Sequence, residues 1–278
     1  MSAVSGFHWH PEVALGLEAL LVGYLLVIGP LRRRRGWGPP PSRAQVAAFV
    51  GGTALLAGAL LGPLAEWAEH VALSAHMAQH LLLILVVPVL WLLGLPPWLL
   101  APAADAPVLG RLGFWLTRPV AALALASAVQ VAWHLPAAFD AALRVERLHA
   151  LEHVSFLATG LLLWWPVVGP APAWPRPAPP AQLLYLFLAT IPMMAIAAPI
   201  TLAEEPLYPS YAAAGRPWPL TPQADQELAG ILMWVGGMFG YLVAGTVVFF
   251  RWAGPEARED GEVFPPTAPV PGATAHGA

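Results

Sequence analysis

Seven long apolar stretches, each near the length that crosses a lipid bilayer, dominate this chain. A hydrocarbon core of ~30 Å takes about 20 helical residues to span. The stretches cover roughly residues 12–31, 44–63, 73–95, 118–136, 147–169, 181–203 and 227–252. The expected fold is therefore all-α, a polytopic membrane bundle of seven transmembrane helices. Composition agrees, because only 10% of the 278 residues are charged while 58% are hydrophobic. A soluble domain carries about a quarter charged residues, and so little charge cannot cover a water-facing surface. Between the stretches lie RRRRGWGPPP, GLPPWLLAPAADAP and VVGPAPAWPRPAPP, whose prolines and glycines cannot continue a helix. Residues 1–252 read as the transmembrane domain. Residues 253–278, polar and proline-rich, read as a disordered cytoplasmic tail.

Arginine sets the expected orientation. Arg32, Arg33, Arg34, Arg35, Arg43, Arg111, Arg118, Arg176, Arg251 and Arg258 share one side, against Arg144, Arg147 and Arg216 on the other. An excess of this kind marks the cytoplasmic face, which puts the N-terminus outside and the C-terminus inside. No charged side chain precedes Glu12, so a cleaved signal peptide is not expected. The net charge of -3 gives no ground for a nucleic-acid partner. Cysteine is absent, which excludes disulfides, thiolate metal sites and thiol catalysis.

Under this topology His8, His10, His70, His76, His80, His134, His149 and His153 all fall at the outer side, and only His276 in the tail does not. Imidazole is the commonest protein metal ligand, and ionisable groups inside transmembrane segments are functional candidates. Two pairs have the spacing HxxxH: His76 with His80, and His149 with His153. Residues four apart lie on one helix face about 6 Å from each other, so each pair can converge on one ion. Both pairs lie within ~10 Å of the outer boundary at 1.5 Å per residue, and His134 approaches the same layer. Such a site is expected to be shallow and partly solvated. The plainer reading is that interfacial histidines bond loop carbonyls and water, which serves best for His8, His10 and His70.

Other groups are candidates for supporting roles. Glu152 sits between two candidate ligands and can orient an imidazole through its second nitrogen. Asp225, opening the seventh span, can do the same or cap that helix. Met77 and Met233 offer thioethers, soft ligands that suit copper, although methionine is also a common packing residue. Nitrogen-rich sites favour copper over the other divalent first-row metals. The string His149-Ala150-Leu151-Glu152-His153 also reads HxxEH, the motif of inverted zinc peptidases, but no substrate groove or soluble domain accompanies it. A zinc or di-iron enzyme and a bis-histidine haem protein using His80 and His153 are the alternatives. Ion transport finds no paired ionisable groups along the bilayer centre.

Taken in order, FHWHPEV, HMAQHLLLILVVPVLWLLGLP, WHLPAAFDAAL, RLHALEHVSFLATGLLLWWPVVGP, LYPSYA and DQELAGILMWVGGMFGYL resemble the caa3-type cytochrome c oxidase assembly factor (CtaG) family. The resemblance covers most of residues 7–252. It implies a non-enzymatic, multi-pass protein of the bacterial plasma membrane that aids formation of the copper centre in the oxidase catalytic subunit, its expected partner besides membrane lipid. The motif residues carried onto this chain are His8, His10, His76, His80, His134, His149, His153, Asp225 and Gln226.

Overall fold

A computed structural model describes residues 10–213 and 219–262, with side chains as far as Gly254. Among the described residues every regular element is a helix. Six helices are long and apolar enough to cross a membrane. They are α1 (Pro11–Arg35), α2 (Arg43–Leu61), α4 (Leu73–Gly94), α8 (Glu146–Val168), α9 (Pro179–Leu202) and α11, which crosses as Pro222–Gly254 and runs on to Glu262. Helix α11 thus continues past the expected end at 252, and the rest of the tail lies outside the described residues. Short helices α3 (Pro63–His70), α7 (Pro136–Arg144) and α10 (Pro209–Ala212) cover the histidine-bearing end.

The fourth crossing departs from the expected single helix. Helix α6 (Pro119–His134) has 16 residues, about 24 Å, which falls short of the ~30 Å core. Helix α5 (Pro107–Leu116) precedes it at an angle of 77°, and the seventh span exists only if this bent pair is counted as one. Proline causes the bend. The ring of Pro119 disfavours helical backbone at the residue before it, and Arg118 is extended at φ -65°, ψ 139°.

Proline placement organises the rest of the bundle. Pro11, Pro63, Pro107, Pro119, Pro136, Pro179 and Pro222 all lie in the first turn of a helix, where the missing N–H has no intrahelical acceptor to lose. Helix α2 instead starts on a reciprocal cap, with Gln45 N donating to Ser42 Oγ and Ser42 N to the Gln45 side chain. Pro88 lies inside α4 and cannot donate to the carbonyl of Ile84. The helix widens into a π turn over Leu82–Val86, and Trp164 Nε1 of α8 donates to the freed Ile84 oxygen at 3.0 Å.

Helices α4 and α8 form the centre of the bundle, each 56% buried, against 11% for α1 and 17% for α11. Their approach is close at Gly160, where a Cβ would stand 2.8 Å from Pro88 Cγ and 3.0 Å from the Ile84 oxygen. Only glycine fits there. Below that contact, toward the arginine-rich end, Leu92, Leu163, Trp164, Tyr185 and Leu186 belong to one apolar core. Above it lies the histidine layer.

Candidate metal centre

The first turns of α4 and α8 face each other, and the four-residue spacing turns both imidazole pairs into the gap. His76 Nε2 and His80 Nε2 are 2.7 Å apart. The rings of His149 and His153 have centroids 4.2 Å apart. Across the gap, His76 lies 5.4 Å from His149 and 6.4 Å from His153, while His80 lies 6.0 Å from His153. His134, at the end of α6, brings its ring to 5.5 Å from His80. Phe139 and Phe156 wall the cluster, with ring centroids 4.9 Å from His76 and 4.6 Å from His80 respectively. His76, His80, His134, His153 and Glu152 are all buried, and His149 alone is intermediate. The site is therefore deeper than a shallow, partly solvated one.

Hydrogen bonds to the outer nitrogens leave lone pairs pointing inward. His76 Nδ1 lies 3.2 Å from the Ala68 carbonyl and 2.9 Å from the Tyr211 hydroxyl, and that hydroxyl also donates to the Ala68 carbonyl. His134 Nδ1 donates to the Gln130 carbonyl at 2.7 Å. A backbone partner at Nδ1 fixes the tautomer and frees Nε2 to accept or to ligate. His80 Nδ1, His134 Nε2, His149 Nε2, His153 Nε2 and both carboxylate oxygens of Glu152 are buried without a hydrogen-bond partner. Buried polar atoms in proteins are overwhelmingly paired, so this concentration of ligand atoms without hydrogen bonds sets the layer apart from the rest of the core.

Two overlapping groups satisfy the distances for a shared ion. The ligand atoms of His76, His149 and His153 lie within 4.8 Å of one another, as do those of His76, His80 and Glu152. His76 belongs to both. Glu152 Oε1 is 3.5 Å from His80 Nε2, so this carboxylate stands among the imidazoles rather than behind one of them. His149 Nδ1 lies 3.8 Å from Glu69 Oε1, which connects the cluster to the outer carboxylates.

Residues from α11 and the loop before it hold the layer in place. Asp225 accepts from Leu73 N at 2.8 Å, Ser74 N at 3.3 Å and Ser74 Oγ at 2.5 Å, so it caps α4 from a helix 150 residues away in sequence. It does not cap its own helix, because Thr221 takes that position and accepts from Ala224 N. Asp225 in the first turn is thereby free to reach the orphan N–H groups that α4 exposes two residues before His76. Gln226 accepts from Leu207 N at 2.6 Å and donates to the Glu205 carbonyl at 3.3 Å. Tyr208 donates to the His134 carbonyl, and burial, with Asp140 and Glu152 nearby, pushes its phenol up, away from ionisation. Residues 205–211 are thereby tied to the histidine layer through Tyr208 and Tyr211.

Asp225→Asn keeps one acceptor oxygen for three donors and loses the charge that strengthens those bonds. The substitution should destabilise the protein by about 1–2 kcal/mol, read as a lower melting temperature in detergent. An unchanged melting curve would mean the cap contributes nothing.

The expected residues divide clearly. His76, His80, His149, His153 and His134 come together. His10 does not join them but sits with Glu12 at 3.0 Å and Glu146 at 3.8 Å in a separate outer group. His8 lies outside the described residues. Met77 and Met233 pack in an apolar cluster with Leu73, Met193 and Ala197, which makes them packing residues between α4, α9 and α11. Tyr211, Tyr208, Ser74 and Phe156 were not anticipated as site residues. LYPSYA was visible as a motif, but its spacing carries no sign of which helix its hydroxyls reach.

Residues 22–254 match the family described as cytochrome c oxidase caa3 assembly factor (Caa3_CtaG). The chain is 25% identical over 267 residues to an uncharacterized protein of Mycobacterium leprae. It is 27% identical over 270 residues to uncharacterized proteins of Mycobacterium bovis and Mycobacterium tuberculosis. Each alignment takes in 90% of this chain, and the chain spans about 40% of the length of these curated relatives. No solved structure matches it. With the family match running from the first helix to the last, across every residue of the imidazole cluster, the chain belongs to the cytochrome c oxidase caa3 assembly factor family.

Proposed function

We propose that this protein holds a copper ion in the buried cluster of His76, His80, His149, His153 and Glu152, with His134 beside it, and serves in forming the copper centre of a haem–copper cytochrome c oxidase. The oxidase catalytic subunit is the partner in this reading, and the bacterial plasma membrane is its location. The observation that carries the proposal is the set of buried, unpartnered ligand atoms contributed by α4, α6 and α8. Desolvating such atoms costs free energy that no hydrogen bond among the described residues offsets, and a bound cation would offset it. The donor set is nitrogen-rich with one carboxylate and no thiolate, which ranks copper above zinc, iron or manganese by intrinsic affinity.

The chain's own residues account for orientation and exclusion of water. Ala68, Tyr211 and Gln130 hold Nδ1 of His76 and His134, so that Nε2 faces the centre. Phe139 and Phe156 keep the layer dry. Glu152, the residue that hydrolysis through HxxEH would use to activate water, is 1% exposed, which favours a held ion over a peptide substrate.

Purified protein equilibrated with equal copper and zinc should retain copper in stoichiometric amount. Cells lacking the protein should make an oxidase deficient in copper. Retention of zinc in preference to copper, or a fully copper-loaded oxidase in those cells, would overturn the reading.

A further inference from the structure

Beyond the histidine layer the bundle carries a long apolar cleft that starts level with Leu81 and ends among arginines. A groove of about 670 Å³ follows α11 where it passes α4 and α8. Leu85, Val89, Trp164, Val243 and Val247 line its apolar length. Gly236 and Gly240, set against Leu81 and Leu85, keep its floor low. At one end it meets polar groups: Arg176 from the loop after α8, Gln182 of α9, and Arg251 with Trp252 near the end of α11.

Both arginines are exposed, and no ion pair among the described residues involves either one. Arg176 spends one N–H on the Val167 carbonyl at 3.1 Å, which fixes the side chain and leaves its other donors available. An adjoining cavity of about 210 Å³ is lined by Arg118 and again by Arg176. Positive charge therefore gathers where the apolar groove ends, with Trp252 at the same level, as at a membrane interface.

Length and charge bear on the occupant. From Gly236 to Arg251 the helix rises about 22 Å, more than the hydrocarbon depth of one leaflet, half of ~30 Å. Acyl chains can follow that apolar length, and the two exposed arginines at its end suit an anionic headgroup. Basic pockets between transmembrane helices at the cytoplasmic side suit anionic headgroups. We propose that this groove binds an anionic phospholipid, its chains along α11 and its phosphate against Arg176 and Arg251.

The test is native mass spectrometry of the full chain released from detergent containing equal phosphatidylglycerol and phosphatidylcholine. Wild type should retain phosphatidylglycerol with at least about fivefold preference. Arg176→Gln with Arg251→Gln should remove the preference. Val243→Phe, on the exposed wall of the groove, should reduce retention of both lipids while leaving both arginines in place. Equal retention of the two lipids by wild type would overturn the proposal, as would an undiminished preference in the double arginine variant. So would disulfide-linked dimers of Val243→Cys in a bilayer, because a second copy would then occupy the groove.

Discussion

His76→Ala should weaken copper binding by more than about a hundredfold, beyond the 10–100-fold typical of losing a partner that only orients a ligand. The reason is its position. Of the two overlapping groups inside the bundle with ligand atoms within 4.8 Å, one needs His149 and His153, the other His80 and Glu152, and both need His76. His149→Ala breaks only the first group and should cost about tenfold, the low end of that range. His10→Ala, in the outer group with Glu12 and Glu146, should leave affinity unchanged. Chelator competition on the purified variants ranks all three. Equal losses for His76→Ala and His149→Ala would deny the shared ligand, and a dominant His10 would move the site to the surface. Because His76 also bonds Ala68 and Tyr211, melting curves of the metal-free variants separate loss of a ligand from loss of fold.

That ranking could not be read from spacing alone, and the reason is geometric. The HxxxH periodicity of His76–His80 and His149–His153 is local, because four residues always return to the same face of a helix. How α4 is rotated against α8 is not local. It follows from the contact of Gly160 with Pro88 and Ile84, and from the π turn that Pro88 opens. These residues look like ordinary apolar sequence. The same distinction explains Asp225, whose acidic character in a first turn suggests a cap for its own helix, while its partner is an N-terminus 150 residues away. Apolar stretches of bilayer length were legible because hydropathy is additive along the chain. The shortened fourth crossing was less so, since a proline bend conserves hydropathy and changes only direction. Met77 and Met233 illustrate the remaining ambiguity, because a thioether offers the same atoms to a metal or to an apolar core, and here it is packed in the core.

Glu152 offers the sharpest test, because its replacement should change stability and binding in opposite directions. In the metal-free protein its two oxygens are buried without a hydrogen bond, with His80 Nε2 at 3.5 Å, a condition that costs free energy whether or not the carboxyl is ionised. Glu152→Leu, similar in volume, removes that cost and should raise metal-free stability by about 1–3 kcal/mol. It also removes the anionic member of the His76–His80–Glu152 group, so copper affinity should fall about a hundredfold, the upper end of the range for disturbed metal sites. A ligand at a hundred times its dissociation constant stabilises a folded protein by about 2.7 kcal/mol. At the copper concentration giving wild type that gain, the variant would gain less than about 0.5 kcal/mol. The variant should therefore melt higher in chelator and lose most or all of that lead in copper. A variant that melts below wild type in chelator would mean Glu152 is held by bonds essential to the fold. One that gains as much from copper as wild type would remove the carboxylate from the metal centre.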